Sequence, residues 1–258
     1  MTDQHPPWPS RLWVIRHGQS AGNVARDHAQ QAALDRIALD GRDVDVPLSP
    51  LGEEQARALG HWFSDMEGDE LPEVILSSPY RRAIQTAQLF RAAGGAAPDE
   101  PVCIDERLRE KEFGILDGLT TSGIARLEPQ QASFRQALGK FYHRPPGGES
   151  WCDVIFRLRA LMDTVSLHYA GQRVVIFAHQ VVVLCLRYVI ENLDEDTILD
   201  IDRQGDVANC SVTEYRFDPN AGRRGGGLVL RRYNATAPVR AEAVPVTDAA
   251  DPPVAARG

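Results

Sequence analysis

The chain has 258 residues, 43% of them hydrophobic and 25% charged, with a formal net charge of −8. This composition excludes a wholly disordered chain and fits one large domain or two small ones, whose core at this size needs no disulfide or metal staple. The acidic balance argues against general affinity for nucleic acid or anionic membranes, and leaves a small anionic substrate open.

Of the 28 basic residues only Lys111 and Lys140 are lysines, so a single arginine carries little information. The four cysteines, Cys103, Cys152, Cys185 and Cys210, form no C-x-x-C pair, suggest neither a zinc site nor a disulfide framework, and read as small buried hydrophobes. The N-terminal MTDQHPPWPS lacks the basic-then-apolar pattern of a secretion leader, and no apolar run approaches the roughly 18 residues of a membrane span. A cytoplasmic location is the default expectation.

In chain order, residues 1–10 are rich in proline and polar groups and read as a flexible tail. Leu12 to Ile15, Val74 to Leu76 and Val174 to Ala178 are short apolar runs that end at polar residues and are followed by helical patterns, the βα alternation of a parallel sheet. Residues 24–47 form a charged excursion whose helical part includes Ala32, Ala33, Leu34, Ile37 and Leu39; it either overhangs a site or is a plain surface loop. Ser49-Pro50 and Ser78-Pro79 each place a capping residue before a proline suited to a first helical turn. Ser150 and Asp153 form a capping box ahead of an apolar stripe at helical spacing, Val154 through Val165.

Val212 to Phe217 and Leu228 to Tyr233 alternate around a glycine-rich turn, a β-hairpin at the sheet edge. That turn lacks the spacing and following helix of a phosphate loop. Residues 236–258, proline- and alanine-rich without apolar periodicity, read as a second flexible tail. The expected architecture is a three-layer α/β/α sandwich with a mostly parallel central sheet and the C-terminal hairpin at its edge, forming one domain over residues 11–235.

Two strands end in chemistry-bearing side chains. The run Leu12-Trp13-Val14-Ile15 stops at Arg16-His17-Gly18, and Val174 to Ala178 stops at His179. In an open parallel sheet the carboxyl ends of the strands face the ligand crevice, so two such histidines can share it. Gly18 permits close backbone approach to a ligand. One histidine alone reads as structural. The helix after Ser78-Pro79 brings Arg81 and Arg82 to its first turns, where free amides and a guanidinium together suit phosphate; by itself this pair reads as a solvated charged face.

Together these segments resemble the histidine phosphatase superfamily, also called the phosphoglycerate-mutase-like family. The resemblance rests on Arg16-His17-Gly18 with Asn23, Leu48-Ser49-Pro50-Leu51-Gly52, Ser77-Ser78-Pro79 with Arg82, Leu108-Arg109-Glu110 with Phe113-Gly114, Pro146-Gly147-Gly148-Glu149-Ser150, and His179. It covers residues 11 to 217 in order.

The resemblance implies phosphoryl transfer through a phosphohistidine on His17, with Arg16, Arg82 and His179 completing the phosphate pocket and Glu110 protonating the leaving alcohol. The ring of His17 must then offer an unprotonated nitrogen while the other is held by a hydrogen bond that it donates, expected to a backbone carbonyl. The family spacing selects Arg82 over Arg81, and Glu110 over the neighbouring Glu112. His179 is followed by Gln180 where many members have glycine and the acid-phosphatase branch has aspartate, so the acid must come from elsewhere; a His-Gln pair also occurs in the fructose-2,6-bisphosphatase branch. Asn23, Gln180 and Arg144 are candidate substrate-binding residues.

Hydrolysis of a small phosphorylated metabolite is the favoured reading, because Ile115 to Thr120 lacks the asparagine-lysine continuation associated with mutases. A bisphosphoglycerate-dependent mutase uses the same residues and is the alternative. A phosphate-binding regulatory protein without turnover is a third, disfavoured by the complete catalytic set. The stretch Lys140 to Pro146 reads equally as a solvated loop or as a cationic wall for a second phosphate or carboxylate. No cofactor, metal, nucleic acid or membrane partner is called for, and a homodimer is compatible with the sequence.

Overall fold

The computed structural model describes residues 7–39, 41–66, 70–97, 99–222 and 225–249. Its framework is a six-stranded sheet: β1 (Arg11–Arg16), β2 (Val74–Ser77), β3 (Val102–Ile104), β4 (Arg173–Ala178), β5 (Val212–Asp218) and β6 (Gly227–Ala235). The strand order is β3-β2-β4-β1-β5-β6. Strands β3, β2, β4 and β1 run parallel, while β5 is antiparallel to both β1 and β6. The expected mixed α/β sandwich with an edge hairpin is the observed one. Edge strand β3 was not anticipated; only three residues long, with Cys103 and Ile104 exposed, it carries little apolar signal.

Both sheet faces are covered, which is why the central strands read as continuous apolar runs rather than alternating ones. Leu12 and Val14 of β1 face one core, built with α6 (Trp151–His168) and α7 (Gln180–Glu191). Trp13 and Ile15 face the other, built with α2 (Pro50–Ser64) and α3 (Arg81–Ala92). A strand places successive side chains on opposite faces, so one four-residue run serves both cores.

Several local expectations are met and several are corrected. Ser49 caps α2 with Pro50 at its start, and Ser150 and Asp153 form a reciprocal capping box on α6. Ser78 does not cap α3: the helix begins at Arg81 after Tyr80, and the Ser78 hydroxyl is turned to His179. The excursion over 24–47 is helical earlier than expected, in α1 (Ala21–Gln31), capped by Ser20. Residues 32–39 are not helical, because Ala33 takes a left-handed φ of 51° and the chain then bridges Arg36 to Leu119.

The terminal segments also differ from the expected tails. Trp8 packs partly buried against the core, and its carbonyl accepts from the Gly171 N–H; residues 1–6 lie outside the described residues. Past Ala235 the chain forms α9 (Ala237–Ala241), which buries Val239 completely and brings Val244 and Val246 against the α2/α3 core. Three valines in a proline- and alanine-rich stretch have no periodicity to reveal this docking. Residues 250–258 of the expected tail lie outside the described residues.

Between α3 and α6 the connecting loops carry α4 (Thr121–Leu127) and α5 (Pro129–Tyr142), the latter kinked at Gly139, where φ is +76°. After α7 comes α8 (Glu195–Gln204). Among the described residues no helix is long and apolar enough to cross a membrane.

Candidate active site

The sheet register assembles the site. Arg16 pairs with Ala178 across the parallel β1/β4 ladder, and the His17 N–H continues it by donating to the Ala178 carbonyl at 2.9 Å. The next residue on each strand is a histidine, so His17 and His179 emerge side by side, with ring centroids 5.2 Å apart and edge to face. On the other side of β4, Ser77 pairs with Phe177, which carries Ser78 to within 2.7 Å of His179 Nε2. Strand ends that were separate in sequence thus become one crevice.

The tautomer of His17 follows from its two neighbours. Nδ1 lies 2.6 Å from the Gly18 carbonyl, which can only accept, and Nε2 lies 3.2 Å from Arg82 Nε, which can only donate. The proton therefore sits on Nδ1, and Nε2 presents a lone pair. Gly18 makes a close approach to the neighbouring backbone: a Cβ there would stand 2.4 Å from the Gly52 carbonyl oxygen. Its amide donates to Thr86 Oγ1 at 3.1 Å, tying the loop to α3.

Arg16, His17, Arg82 and His179 are fully buried and brought together, whereas Arg81 is exposed on the outer side of α3. The Arg16 guanidinium donates to the Val207 carbonyl at 2.5 Å and also to the Ala249 carbonyl. The Arg82 guanidinium lies 4.8 Å over the Tyr80 ring, and that ring packs edge-on against His179 at 4.9 Å. Burial, reinforced by Glu112 and Asp43, pushes the Tyr80 hydroxyl well above its ordinary range, so it stays protonated and donates to Glu112 at 3.1 Å.

Glu110 is buried, 1% exposed, on the loop that follows β3, and its Oε1 accepts the Lys111 N–H at 2.8 Å. Glu112 is half-buried and engaged with Tyr80. What holds the Glu110 loop was missed in the sequence. Arg157 of α6 forks onto both oxygens of Glu149 at 3.0 Å and donates to the carbonyls of Arg107 and Glu110. Glu149 also accepts from the Glu112 N–H. Burial works to raise the Glu149 carboxyl, but Arg157, that amide and Arg109 outweigh it and hold it below its ordinary range. The Pro146 to Ser150 motif was the available signal, since it placed an acidic residue just before a capped helix.

The remaining candidates separate. Asn23 completes the Ser20 capping box and donates through Nδ2 to the Ala249 carbonyl at 3.1 Å. Gln180 opens α7 and donates to Asp206 at 2.6 Å. Arg144 is drawn away: its guanidinium forks onto Asp153 at the start of α6 and is 61% exposed. The adjacent His143 points inward instead and is buried. Two residues with no sequence signal also reach the site. Asp43, in a single 3-10 turn (Asp43–Asp45), accepts from both terminal nitrogens of Arg82, and the Asn209 amide donates to the His17 carbonyl at 3.0 Å.

Comparison with known proteins agrees with this geometry. The family model of the histidine phosphatase superfamily (branch 1) matches residues 12–225. The chain is 31% identical over 223 residues to a Caenorhabditis elegans 6-phosphofructo-2-kinase/fructose-2,6-bisphosphatase, covering 83% of this chain and 43% of that one. It is 27% identical to a probable phosphoglycerate mutase GpmB of Yersinia enterocolitica, covering 81% and 86%. The chain spans about half the length, or less, of the first curated relatives it matches. Among solved structures, a mycobacterial glucosyl-3-phosphoglycerate phosphatase complexed with VO3 is 28% identical with a TM-score of 0.66, over 88% of this chain and all of that one. Bacillus stearothermophilus YhfR is 26% identical with a TM-score of 0.68, over 89% and 98%. By the family match and by its paired strand-end histidines, the chain belongs to the histidine phosphatase superfamily.

Proposed function

We propose that the protein is a phosphomonoesterase that hydrolyses a small phosphorylated metabolite through a phosphohistidine on His17. The observation that carries this reading is the fixed tautomer of His17, with Nδ1–H on the Gly18 carbonyl and the Nε2 lone pair beside Arg82. Nε2 attacks phosphorus, the ester P–O bond breaks, and the leaving oxygen takes a proton from the Glu110 carboxyl. Water then attacks phosphorus and gives a proton to the Glu110 carboxylate; the P–N bond breaks with its electron pair returning to Nε2, which releases phosphate and regenerates the neutral ring.

Arg16, Arg82 and His179 line the pocket with positive or donor groups, which stabilise charge on the equatorial oxygens of the transferring phosphoryl group. A positioned acid is worth about 10²–10⁴-fold in expelling an alcohol, which is the role assigned to Glu110. Likeness to a phosphatase solved with VO3 and, in another structure, with inorganic phosphate supports the same reading. A bisphosphoglycerate-dependent mutase is the second reading, favoured by the relatives named as phosphoglycerate mutases.

The test is a panel of phosphomonoesters assayed with wild type and His17→Ala, with and without 2,3-bisphosphoglycerate. Hydrolysis independent of bisphosphoglycerate and absent in His17→Ala is expected. Turnover that requires bisphosphoglycerate and isomerises phosphoglycerate would establish the mutase, and no turnover of any ester would leave a binding protein.

A further inference from the structure

Tyr80 stands between the paired histidines and the loop that carries Glu110. It is the residue just before α3 and is 5% exposed. Its ring is gripped on two sides, by the Arg82 guanidinium 4.8 Å over its centroid and by the His179 ring edge to face at 4.9 Å. Its hydroxyl points the other way and donates to Glu112 Oε1 at 3.1 Å, two residues beyond the assigned acid. Arg109 Nε approaches the same oxygen at 3.8 Å, too long for a hydrogen bond, so the Tyr80 hydroxyl is the group that orients this carboxyl oxygen.

Glu112 is fastened to the acid loop through its backbone. Its N–H donates to Glu149 Oε2 at 3.1 Å, and its carbonyl accepts from the Glu149 N–H at 2.8 Å. Arg157, forked on that same Glu149, donates to the Glu110 carbonyl. The loop is thereby held against the start of α6 on one side, and Tyr80 ties it to the pocket on the other.

That tie bears on catalysis because of where the two halves of the site originate. The β1/β4 ladder sets His17 against His179, whereas Glu110 lies in a loop outside the strands, where side-chain contacts adjust its distance from the nucleophile. A misplacement of about 1 Å can cost a reaction about 10²-fold. Phenylalanine at position 80 would keep both ring contacts and lose the tie.

We infer that Tyr80 is a positioning residue: through its hydroxyl bond to Glu112 it sets the Glu110 carboxyl at its working distance from the group held by Arg82 and His179. This rests on the phosphatase reading and on Glu110 as its acid.

The experiment measures kcat/KM on p-nitrophenyl phosphate, whose phenolate leaves without a proton, and on glycerol 3-phosphate and 3-phosphoglycerate, whose alkoxides need one. This parameter ends at release of the alcohol and so leaves out the phosphohistidine hydrolysis that all esters share. The full chain is used as wild type, Glu110→Gln, Tyr80→Phe, Glu112→Ala, Glu112→Gln and the double variant of Tyr80→Phe with Glu112→Ala. Tyr80→Phe and Glu112→Ala are each expected to lose at least tenfold on the alkyl esters and less than threefold on the aryl ester, a milder form of the Glu110→Gln pattern. The double variant is expected to lose no more than either single one, since both break the same bond. Glu112→Gln, whose amide oxygen still accepts from Tyr80, is expected to keep most of the activity.

Backbone hydrogen exchange over residues 109–114 is expected to quicken at least fivefold in Tyr80→Phe. Equal losses on alkyl and aryl esters in Tyr80→Phe, or losses that multiply in the double variant, would overturn the positioning role. If Tyr80→Phe does not fold, Glu112→Ala decides alone. If wild type hydrolyses no ester the phosphatase reading fails, and if Glu110→Gln affects all esters alike the acid assignment fails. In either case hydrogen exchange decides whether Tyr80 holds the loop: faster exchange in Tyr80→Phe supports the tie, and unchanged exchange sinks it.

Discussion

Arg82 donates through Nε to His17 Nε2 at 3.2 Å, while its two terminal nitrogens fork onto the Asp43 carboxylate at 3.0 and 3.1 Å. One guanidinium thus bridges the proposed nucleophile and an internal carboxylate. Phosphate entering the pocket must share or displace Asp43, because a dianion and a carboxylate compete for the same fork.

Asp43→Asn is therefore expected to tighten inhibition by inorganic phosphate or vanadate. Asp43 is partly exposed, so the pair is worth about 1 kcal/mol, or roughly fivefold in affinity. Inhibition constants for wild type and variant measure it. Weaker inhibition in the variant would mean that Asp43 chiefly orients Arg82.

The neighbouring arginines separate by burial. Arg82→Ala removes a donor from the proposed phosphoryl pocket and is expected to lower kcat/KM by about 10²–10³-fold. Arg81→Ala, on the exposed side of α3, is expected to stay within about twofold, as surface substitutions generally do. The reverse result would shift the register of the whole SSPYRR segment.

Lys111 links a buried charge to stability. With its side chain held near 8 instead of the ordinary 10.5, the folded state binds fewer protons than the unfolded state between those values. Stability therefore rises with pH across that window, and the burial penalty stands in full below about pH 8. Lys111→Met removes the charge while filling a similar volume. It is expected to raise stability at pH 7 by up to about 3 kcal/mol, a gain of several degrees in Tm. That gain should fade as pH rises from about 8 to 10.5. A gain that is flat with pH, or a lower Tm at pH 7, would show that the ammonium over Phe113 and its pull from Glu110 and Glu149 outweigh the burial.

The segment after Ala235 belongs to the core. Val239→Ser leaves a cavity and an unpartnered hydroxyl where a fully buried methyl pair was, and is expected to lower stability by about 2 kcal/mol. For a chain of this size that is a drop of about 4–8 °C in Tm. An unchanged melting curve would return this segment to the status of a tail.

The amino-acid sequence by itself determined five of the six sheet strands, all but the short edge strand β3, together with the edge hairpin, and it singled out Arg16, His17, Arg82 and His179, which the fold buries together. These are local signals: an apolar run buried on both faces, a polar stop at its carboxyl end, a serine before a capped helix. It also ranked Arg82 above Arg81, because one residue of helix turns a side chain by about 100° and a family spacing fixes which of the two faces inward.

Only the tertiary structure decided what surrounds them. The β1/β4 register sets His17 against His179, although 162 residues separate them. Asp43 reaches Arg82 from a turn with no periodicity, and the Ala249 carbonyl reaches Arg16 and Asn23 from a stretch whose composition looks like a linker. Glu149 and Arg157 lock the Glu110 loop by a pairing between a loop and a helix face. At Arg144 the competition was local but invisible in the sequence: Asp153 captured the arginine, so His143, not Arg144, turns inward and is buried. Side-chain partners of this kind depend on which loops the packed core brings within hydrogen-bond reach, and that distance is set by the fold and not by separation along the chain.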